Sequence, residues 1–410
     1  MRILMVNKFL YPNGGSETYM MKLGEELEHS GHQVQYFGMY DEKNTVGNAS
    51  GAYVVNVDYH GKTTGVLKKI NMGIETIYSR NARKEIRKVL DNFKPDIVHL
   101  NNINFQITPS IVYEIKKYGI PMIQTVHDVQ IACPCHRFYI EHREKICEAC
   151  KNGKFYRCVV NKCVHNSIAK SALAAMESYY YHTRDTYNLV DLYICPSHFI
   201  KSKIVQSGVK QEKIKVIYNF ADQIGHDTLQ TDNRSKYALY FGRLSKEKGI
   251  LTLLDVCKEL SSIQFVIAGR GPLEKLVEKR CETLQNVEYV GFKTGKELQQ
   301  LIFDAAFSIY PSEWYENCPL SVIESQVLGT PVIGSDLGGT KELIKNGETG
   351  LIFEGYHPEE LKKAIQILWS NDELIEQMSS KCRNVDQMDL EDYTRHIIEL
   401  YRAMIEGKKA

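Results

Sequence analysis

The stretch YALYFGRLSKEKGILTLLDVCKEL (237–260) sets out the unit from which the fold is built. Its first residues, YALYF, are typical of a buried strand, and GILTLLDVCKEL has the spacing of an amphipathic helix. Further strands alternate with helices downstream and are predicted at IQFVIAGRG (263–271), NVEYVGF (286–292), AFSIYP (306–311) and TPVIGS (330–335). Short apolar strands that alternate with helices predict a parallel, doubly wound α/β sheet.

A second array of the same kind precedes this one. Its predicted strands are RILMVN (2–7), HQVQYFGM (32–39), DIVHLNN (96–102), PMIQTVHD (121–128) and LYICPS (192–197). The polar stretch 222–236 is the expected linker, which gives an N-terminal domain at 1–222 and a C-terminal domain at 223–384. Two doubly wound domains are expected to face each other across a cleft, with a ligand at the carboxyl ends of the strands.

Bulk composition excludes several classes of protein. The 410 residues are 43% hydrophobic and 25% charged with a formal net charge of +1, so no overall field favours nucleic acid. No apolar run is long enough to span a membrane, and MRILMVN is too short for a secretory signal. The expected location is the cytoplasm, where cysteines stay reduced.

One segment departs from this charge balance. Between His60 and Lys94 there are nine Lys or Arg residues against three Asp or Glu. A solvated helix face is the preferred interpretation. The alternative is a basic surface that holds the protein at the inner face of the membrane through anionic lipid head groups.

A helix start near Pro319 defines the first candidate site. Proline is favoured at the first helical position, so the N–H groups of Cys318, Leu320 and Ser321 are expected to point outward and bind phosphate. Glu316 and Glu324 flank this start, and carboxylates suit vicinal hydroxyls rather than phosphate. The pattern predicts a sugar–diphosphate–ribose ligand, with Glu324 on the ribose and Glu316 on the sugar.

Cations and glycines complete this predicted site. Arg243 and Lys248 follow the first strand of the second array and can hold a diphosphate. Gly269 and Gly271 end the next strand and are expected to let the backbone approach a ligand closely. The Gly14–Gly15 turn precedes a helix in the first array and would present its backbone to the same phosphates or to an acceptor.

These motifs together resemble the retaining family-four glycosyltransferases (glycosyl transferases group 1) with the GT-B fold. The resemblance rests on Glu316-x7-Glu324 with GTPVIGSDLGGTKELIKNGETGLIF, on YFGRLSKEKGI, on VIAGRGP and on GGSE. It covers nearly the whole chain and implies a transferase that keeps the anomeric configuration of a nucleotide-sugar donor. It also implies that a last helix, from about 385 to 410, packs on the N-terminal domain.

The resemblance also implies individual roles. Arg243 and Lys248 would hold the diphosphate, Glu324 the ribose and Glu316 the donor-sugar hydroxyls. His127 matches the histidine that reaches the donor sugar near the reaction centre. Asn219 stands where the family shows Asn-Gly, but here Phe220 follows it.

The chemistry follows from the bond that breaks, between sugar C1 and a phosphate oxygen. Charge grows on the leaving phosphate, so cationic side chains and the helix start should stabilise it. No Asp-x-Asp pair occurs in the chain, which predicts a donor site that needs no metal. Retention is compatible with a double displacement through Glu316, but the resemblance favours a front-face route.

A cysteine-rich insert (133–163) needs a separate explanation. Six of the eleven cysteines lie in it, and Cys147, Cys150, Cys158 and Cys163 are spaced much like the ligands of a structural zinc. An iron–sulfur cluster, disulfides and free thiols packed as small hydrophobic groups are the alternatives. Some members of the family carry a similar insert, and here it is expected to form an acceptor lid.

Three functions remain open at this point. The first is a glycosyltransferase that uses a UDP-sugar to extend a glycan or lipid-linked acceptor in cell-surface polysaccharide biosynthesis. The second is a sugar-nucleotide epimerase or hydrolase on the same fold, which needs no acceptor. The third is a non-catalytic module that binds nucleotide sugars.

Overall fold

The computed structural model describes residues 1–55, 73–221 and 236–409, and within them the chain divides into two compact units. The first unit holds Met1–Arg143, Cys147–Tyr218 and Leu390–Ala410, and the second holds Glu144–Ile146 and Asn219–Asp389. The chain therefore leaves the first unit after Tyr218 and returns to it at Leu390. The expected linker at 222–236 lies, apart from Lys236, outside the described residues.

A six-stranded parallel sheet forms the centre of the first unit, in the order β2-β1-β3-β4-β7-β8. The first eight strands of the chain are β1 Arg2–Val6, β2 Gln33–Phe37, β3 Ile97–Leu100, β4 Met122–Thr125, β5 Tyr139–Ile140, β6 Lys145–Ile146, β7 Leu192–Cys195 and β8 Ile214–Val216. Strands β5 and β6 are short and lie in the cysteine-rich insert. The central strands are buried on both faces, which explains their continuous apolar sequences.

The second unit repeats this plan with the order β11-β10-β9-β12-β13-β14, again all parallel. Its strands are β9 Ala238–Phe241, β10 Phe265–Ala268, β11 Val287–Gly291, β12 Phe307–Tyr310, β13 Val332–Ser335 and β14 Gly350–Phe353. The order of strands reverses between β9 and β12, as it does between β1 and β3 in the first sheet. Such a reversal opens a crevice at the carboxyl ends of the strands.

Helices separate the strands in both units. Before the second sheet they are α1 Gly15–His29, α2 Arg80–Phe93, α3 Ser110–Lys117, α4 Tyr156–Val160, α5 Ile168–Thr183 and α6 His198–Gln206. The remaining helices are α7 Ile250–Glu259, α8 Glu274–Cys281, α9 Gly295–Asp304, α10 Leu320–Val327, α11 Thr340–Leu343, α12 Pro358–Trp369, α13 Asp372–Arg383 and α14 Leu390–Lys409. Helix α14 belongs to the first unit, where Tyr393 and Tyr401 are fully buried.

Four short strands, β5, β6, β8 and β14, were absent from the sequence-based expectation. The pair β5 and β6 has only two residues in each strand, and β8 has three. Strand β14 begins at Gly350, whose neighbouring strand is so close that a Cβ would lie 2.0 Å from the backbone oxygen of Val332. Pairing with a neighbour, rather than apolar pattern, makes these segments strands.

Candidate functional site

Each sheet brings several predicted residues to the carboxyl ends of its central strands. In the first unit these ends lead to Gly14, Gly15 and His127, and in the second they lead to Arg243, Lys248 and Glu316. Both groups lie beside the point where the strand order reverses. The two groups are described separately, one in each unit.

Helix α1 begins without a side-chain cap. Gly14 occupies the capping position, and no side chain accepts a hydrogen bond from the first-turn amides. A Cβ at Gly15 would meet no atom within 4 Å, whereas one at Gly14 would lie 3.3 Å from Glu17 Oε2. The first turn of α1 is thus open above Gly15, as an anion-binding helix start requires.

His127 is held as a neutral imidazole. Its Nε2 lies 2.9 Å from Asn101 Oδ1, and the edge of the Tyr19 ring is packed against it at a centroid distance of 4.8 Å. Burial lowers the pKa of His127 to about 3. Because Asn101 Oδ1 can only accept, the neutral ring carries its proton on Nε2 and donates it to Asn101.

A buried polar network lies behind His127, and it was not predicted from the sequence. The Tyr19 hydroxyl bonds to Thr125 Oγ1 at 3.1 Å and to the Tyr393 hydroxyl at 2.8 Å. Thr125 Oγ1 also bonds to Nε2 of His99 at 2.8 Å, and the other ring nitrogen of His99 bonds to the Tyr401 hydroxyl. Helix α14 therefore orders the strand ends from which His127 projects.

Lys248 and Glu316, predicted to bind different parts of one ligand, bind each other in this structure. Lys248 Nζ lies 2.7 Å from Glu316 Oε1 and 2.9 Å from the Tyr310 hydroxyl. The same carboxylate oxygen accepts hydrogen bonds from Ser312 Oγ at 2.6 Å and from Trp314 Nε1. Glu316 is only 7% exposed, so this is a partly desolvated pair.

Arg243 is different from Lys248 in its environment. Its side chain is exposed, and within the described residues it forms no ion pair or hydrogen bond. Its backbone oxygen accepts a hydrogen bond from the Tyr240 hydroxyl at 2.9 Å, which fixes the loop. Arg243 is thus a cation that is available to a ligand.

The start of helix α10 lies after Glu316. Pro319 is the capping residue, with φ −68° and ψ 118°, and no side chain caps the helix. The amides of Leu320 and Ser321 have no partner among the described residues. Asn219 Nδ2 donates to the Cys318 carbonyl at 3.0 Å, and Asn219 Oδ1 is buried without a partner in the part of the chain that the structure describes.

Glu324 lies one turn further into helix α10. Its half-buried side chain lines a cavity of about 50 Å³ together with residues of α9 and Ala221. The apolar part of that lining is Leu298, Ile302 and Leu328. A carboxylate at the edge of a largely apolar cavity is suited to a hydroxylated ring with an apolar face.

Gly269 and Gly271 have a packing role that the sequence-based interpretation missed. A Cβ at Gly269 would lie 1.9 Å from the Gly242 carbonyl oxygen, and one at Gly271 would lie 2.5 Å from the Leu244 carbonyl oxygen. The close approach that needs these glycines is therefore to the loop after β9. These contacts hold the loop that carries Arg243.

The predicted zinc site finds no support. Among residues 1–55, 73–221 and 236–409, no group of three or more His, Cys, Asp or Glu side chains is arranged to hold a metal ion. Of the predicted ligands Cys147, Cys150, Cys158 and Cys163, the middle two are buried and pack with Phe155 in an apolar cluster. Burial also raises the pKa of the Cys150 thiol to about 12. The described thiols are free, as in the alternative in which they act as small hydrophobic groups.

The basic segment is partly described. Residues 60–72 lie outside the described part of the chain. The described part, 73–94, consists of helix α2 and the residues on either side of it. Arg83 and Arg87 of this helix both pair with Glu114, while Lys84 and Lys88 are exposed. Within the described residues no helix is both long and apolar enough to cross a membrane.

Comparison with family models covers nearly all of the chain. The model described as Glycosyltransferase Family 4 matches residues 13–223, and the model described as Glycosyl transferases group 1 matches residues 223–385. The chain is 26% identical over 358 residues to an uncharacterized 42.6 kDa protein in the cps region of Klebsiella pneumoniae, covering 84% of this chain and 88% of that protein. It is 22% identical over 357 residues to a GDP-mannose-dependent alpha-mannosyltransferase of Corynebacterium glutamicum, covering 86% and 77%.

Solved structures share the fold. Anabaena HepE in complex with UDP has a TM-score of 0.68 at 17% identity, covering 98% of this chain and 100% of that one. A point mutant of S. aureus TarM in complex with fondaparinux, alpha-GlcNAc-glycerol and UDP has a TM-score of 0.63 at 15% identity, covering 98% and 99%. The predicted α/β fold class, with two doubly wound sheets of the GT-B type, is confirmed.

Proposed function

Since the chain belongs to the family 4 (group 1) glycosyltransferases and is itself a glycosyltransferase, we propose that it transfers a sugar from a UDP-sugar with retention of configuration. The proposed acceptor is a glycan or a lipid-linked glycan in cell-surface polysaccharide biosynthesis. The UDP bound in the Anabaena structure supports the choice of base, and the relative in a cps region supports the pathway.

The observation that carries this proposal is the grouping of Lys248, Glu316 and the uncapped start of α10 at one end of the second sheet. A diphosphate needs cations and free amides, and Arg243, Lys248 and the amides of Leu320 and Ser321 supply them. The Lys248 ammonium is already partly desolvated beside Glu316. A bound phosphate would either replace Glu316 as the partner of the ammonium or bind the ammonium together with Glu316. The residues assigned to donor binding are Gly14, Gly15, Asn219, Arg243, Lys248, Gly269, Gly271, Cys318, Leu320, Ser321 and Glu324.

The two glutamates are proposed to divide the donor. Glu324 borders the cavity between α9 and α10 and is assigned to the ribose hydroxyls. Glu316 is assigned to hydroxyls of the transferred sugar through Oε2, because its Oε1 already accepts three hydrogen bonds. A carboxylate can accept bonds on both oxygens at once.

We favour the front-face route for retention. In this route the C1–phosphate bond breaks, the acceptor oxygen bonds to C1 on the same face, and the acceptor proton passes to the leaving phosphate. The alternative, a double displacement, needs a carboxylate nucleophile. Glu316 is poorly suited to that role, since an ammonium, a hydroxyl and an indole N–H stabilise its charge.

His127 is proposed to position the donor sugar rather than to carry charge. Its pKa is lowered by burial, so it is neutral at physiological pH and can contact the sugar without adding a positive charge beside it. Cationic side chains and helix amides then stabilise the leaving phosphate, and we propose that the donor site needs no metal.

The domain assignment is also a proposal. We assign donor binding to 223–384, and acceptor binding to 1–222 together with 385–410. The insert 133–163 is proposed as an acceptor lid without zinc. A lipid-linked acceptor would bring the enzyme to the inner face of a membrane, where exposed cations of α2 such as Lys84 and Lys88 suit anionic head groups.

Arg243→Ala tests the donor site. We expect it to slow transfer by roughly 100–1000-fold, about 2.7–4 kcal/mol, because a charge-assisted contact to a developing oxyanion is lost. Arg280→Ala is the matched control, since Arg280 is a cation of the same unit that pairs with Asp255 at the surface.

The measurement is calorimetric affinity for UDP, GDP and ADP, followed by UDP release from UDP-sugars in the presence of cell membranes. Tighter binding of GDP or ADP than of UDP would overturn the assignment of the base. Undiminished transfer by the Arg243 variant would overturn the assignment of the site.

A further inference from the structure

We propose that Lys8, Phe105, Asp128 and His136 form the subsite that binds a neutral saccharide unit of the acceptor. This inference rests on the proposed function, since it names the substrate class that the first unit receives. None of the four residues belongs to the donor machinery described above.

The topology brings these residues to one edge of the first sheet. Lys8 follows β1, Phe105 lies in the loop after β3, and Asp128 follows β4. Their loops leave the carboxyl ends of strands on and beside the reversal between β1 and β3. Asp128 also directly follows His127, so the subsite adjoins the residue proposed to contact the donor sugar.

Aromatic rings form a platform around Lys8. The Lys8 Nζ lies 4.4 Å from the centroid of the Phe105 ring and 4.9 Å from that of Phe9. The imidazole of His136 lies 5.1 Å from the Phe105 ring at a tilt of 45°. Phe105 remains 41% exposed, so one part of the platform is open.

The Lys8 ammonium lacks the partners that a half-buried lysine normally has. Within the described residues it forms no hydrogen bond, and no carboxylate lies within ion-pair distance. Burial lowers the pKa of Lys8 to about 8, and the more distant carboxylates of Glu17 and Asp128 oppose that shift. Among the described residues, Lys8 Nζ is not one of the fully buried polar atoms that lack a partner, so the ammonium reaches solvent and can donate hydrogen bonds to a ligand.

Asp128 supplies the opposite chemistry in a fixed orientation. Its Oδ2 accepts a hydrogen bond from Asn104 Nδ2 at 2.9 Å, and its Oδ1 accepts one from the Gln130 amide at 2.9 Å. A carboxylate has about four acceptor positions, so it can take further hydroxyl protons. Donor and acceptor thus stand on one platform.

The backbone holds two rings of the platform in strained conformations. Phe105 has φ +57° and His136 has φ +64°, in a region that bulky residues rarely adopt. Such conformations persist where the surrounding structure requires them, and they are concentrated at ligand sites. Here both strained residues contribute rings to the same contact.

A neutral sugar fits this arrangement better than an anion does. An aromatic face stacks against the C–H face of a pyranose, while hydroxyls need both a donor and an acceptor at the rim. The charges around the platform are balanced, since Lys8 and Arg137 stand against Glu17 and Asp128. With no net charge to favour an anion, a neutral sugar is the ligand class that this arrangement fits.

The test uses methyl glycosides of glucose, galactose, mannose and N-acetylglucosamine, with methyl glucuronide as the anionic probe. Saturation-transfer NMR on the full chain should detect at least one neutral glycoside and little glucuronide. Phe105→Ala and Lys8→Met should each reduce that signal at least fivefold, and Phe105→Trp should retain it. Tyr118→Ala is the matched control, because it removes a ring of the same unit that is 39% exposed and lies between α3 and β4, outside the insert.

UDP affinity, measured by calorimetry on the same samples, distinguishes a failure of the proposed function from a failure of the acceptor subsite. Failure of the wild-type protein to bind UDP would overturn the proposed function. If UDP binds but no neutral glycoside does, the subsite is wrong. A glycoside signal that survives Phe105→Ala and Lys8→Met would assign Lys8 a purely structural role, and preference for the glucuronide would overturn the choice of ligand class.

Discussion

Replacing Lys248 with methionine should destabilise the protein before any ligand is considered. Methionine keeps the apolar stem of the side chain but removes the ammonium that lies 2.7 Å from Glu316. Glu316 would then be a buried carboxylate with Ser312 and Trp314 as its remaining donors. The loss of one partner of a buried pair leaves an uncompensated charge.

The magnitude follows from the burial of the two side chains. Breaking a fully buried pair costs about 3–5 kcal/mol. The side chain of Lys248 is 18% exposed and that of Glu316 is 8% exposed, and two neutral donors remain. We therefore expect a loss of about 2–3 kcal/mol in the free energy of unfolding, because solvent and these donors offset part of the cost. For a domain of roughly 150–250 residues, this lowers the Tm by about 4–12 °C.

The assay compares Lys248→Met, Glu316→Gln and the double variant in urea and in thermal unfolding. Glu316→Gln removes the carboxylate charge that Lys248→Met leaves without a partner. The double variant should therefore be more stable, by at least about 1 kcal/mol, than the sum of the two single effects predicts. Lys363→Met is the matched control. Its ammonium lies 2.8 Å from Glu360, but the side chains are 63% and 47% exposed, so solvent screens the pair and its loss should leave stability nearly unchanged.

Two outcomes would contradict this account. If the effects of the two single substitutions add within about 0.5 kcal/mol, the residues are not energetically coupled. If the double variant recovers UDP affinity together with stability, Lys248 is a structural partner of Glu316 and not a ligand of the diphosphate. The proposal requires that stability recovers and that affinity for UDP does not.

Three further predictions concern single groups. Burial raises the pKa of Glu177 to about 8, so the contribution of the protonated carboxyl to stability is present at low pH and is lost between about pH 4.5 and 8. Glu177→Gln should therefore raise the urea midpoint at pH 7.5 and leave it nearly unchanged at pH 4.5. Burial lowers the pKa of His99 to about 3, so below about pH 6.5 the unfolded chain binds a proton at this residue and the folded chain does not. This difference lowers the free energy of unfolding by about 2 kcal/mol at pH 5. His99→Gln should therefore reduce the fall in stability between pH 7 and pH 5. Gly269→Ala should lower the free energy of unfolding by at least about 2 kcal/mol, because its Cβ would lie 1.9 Å from the Gly242 carbonyl oxygen. Gly15→Ala should keep the stability of the protein but lose transfer activity, since its Cβ would meet only a bound ligand. Full activity of the Gly15 variant would show that Gly15 faces no ligand.

Local patterns in the sequence predicted most of the fold. The central strands are apolar runs buried on both faces, and such runs between helices have one common arrangement. The strand β8 and the pair β5 and β6 escaped because two or three residues carry too little pattern to distinguish a strand from a loop. Their conformation depends on neighbours distant in sequence.

The ion pairs and hydrogen bonds among the candidate site residues were not predicted from the sequence. The sequence identified Lys248 and Glu316, but it assigned them to separate parts of a ligand, since their ion pair joins residues 68 positions apart. The link between His99 and Tyr401 spans 302 positions and has no local signal. The packing of Gly269 against Gly242 was not predicted, because a sequence does not reveal which backbone will approach a glycine.

The return of the chain to its first unit also governs the order in which the protein can be completed during synthesis. The segment from Tyr218 to Leu390 must be translated before α14 emerges, a delay on the order of 10–30 s at ribosomal rates. During that interval the second unit has its whole sequence, while Tyr19 and His99 still lack the hydroxyls of Tyr393 and Tyr401. Until synthesis is nearly finished, the nascent first unit therefore lacks these two hydroxyl partners, and the surface that α14 covers stays exposed. A circular permutant that places α14 ahead of β1 would remove that delay, with the loss of the contact between the Met1 amino group and His32.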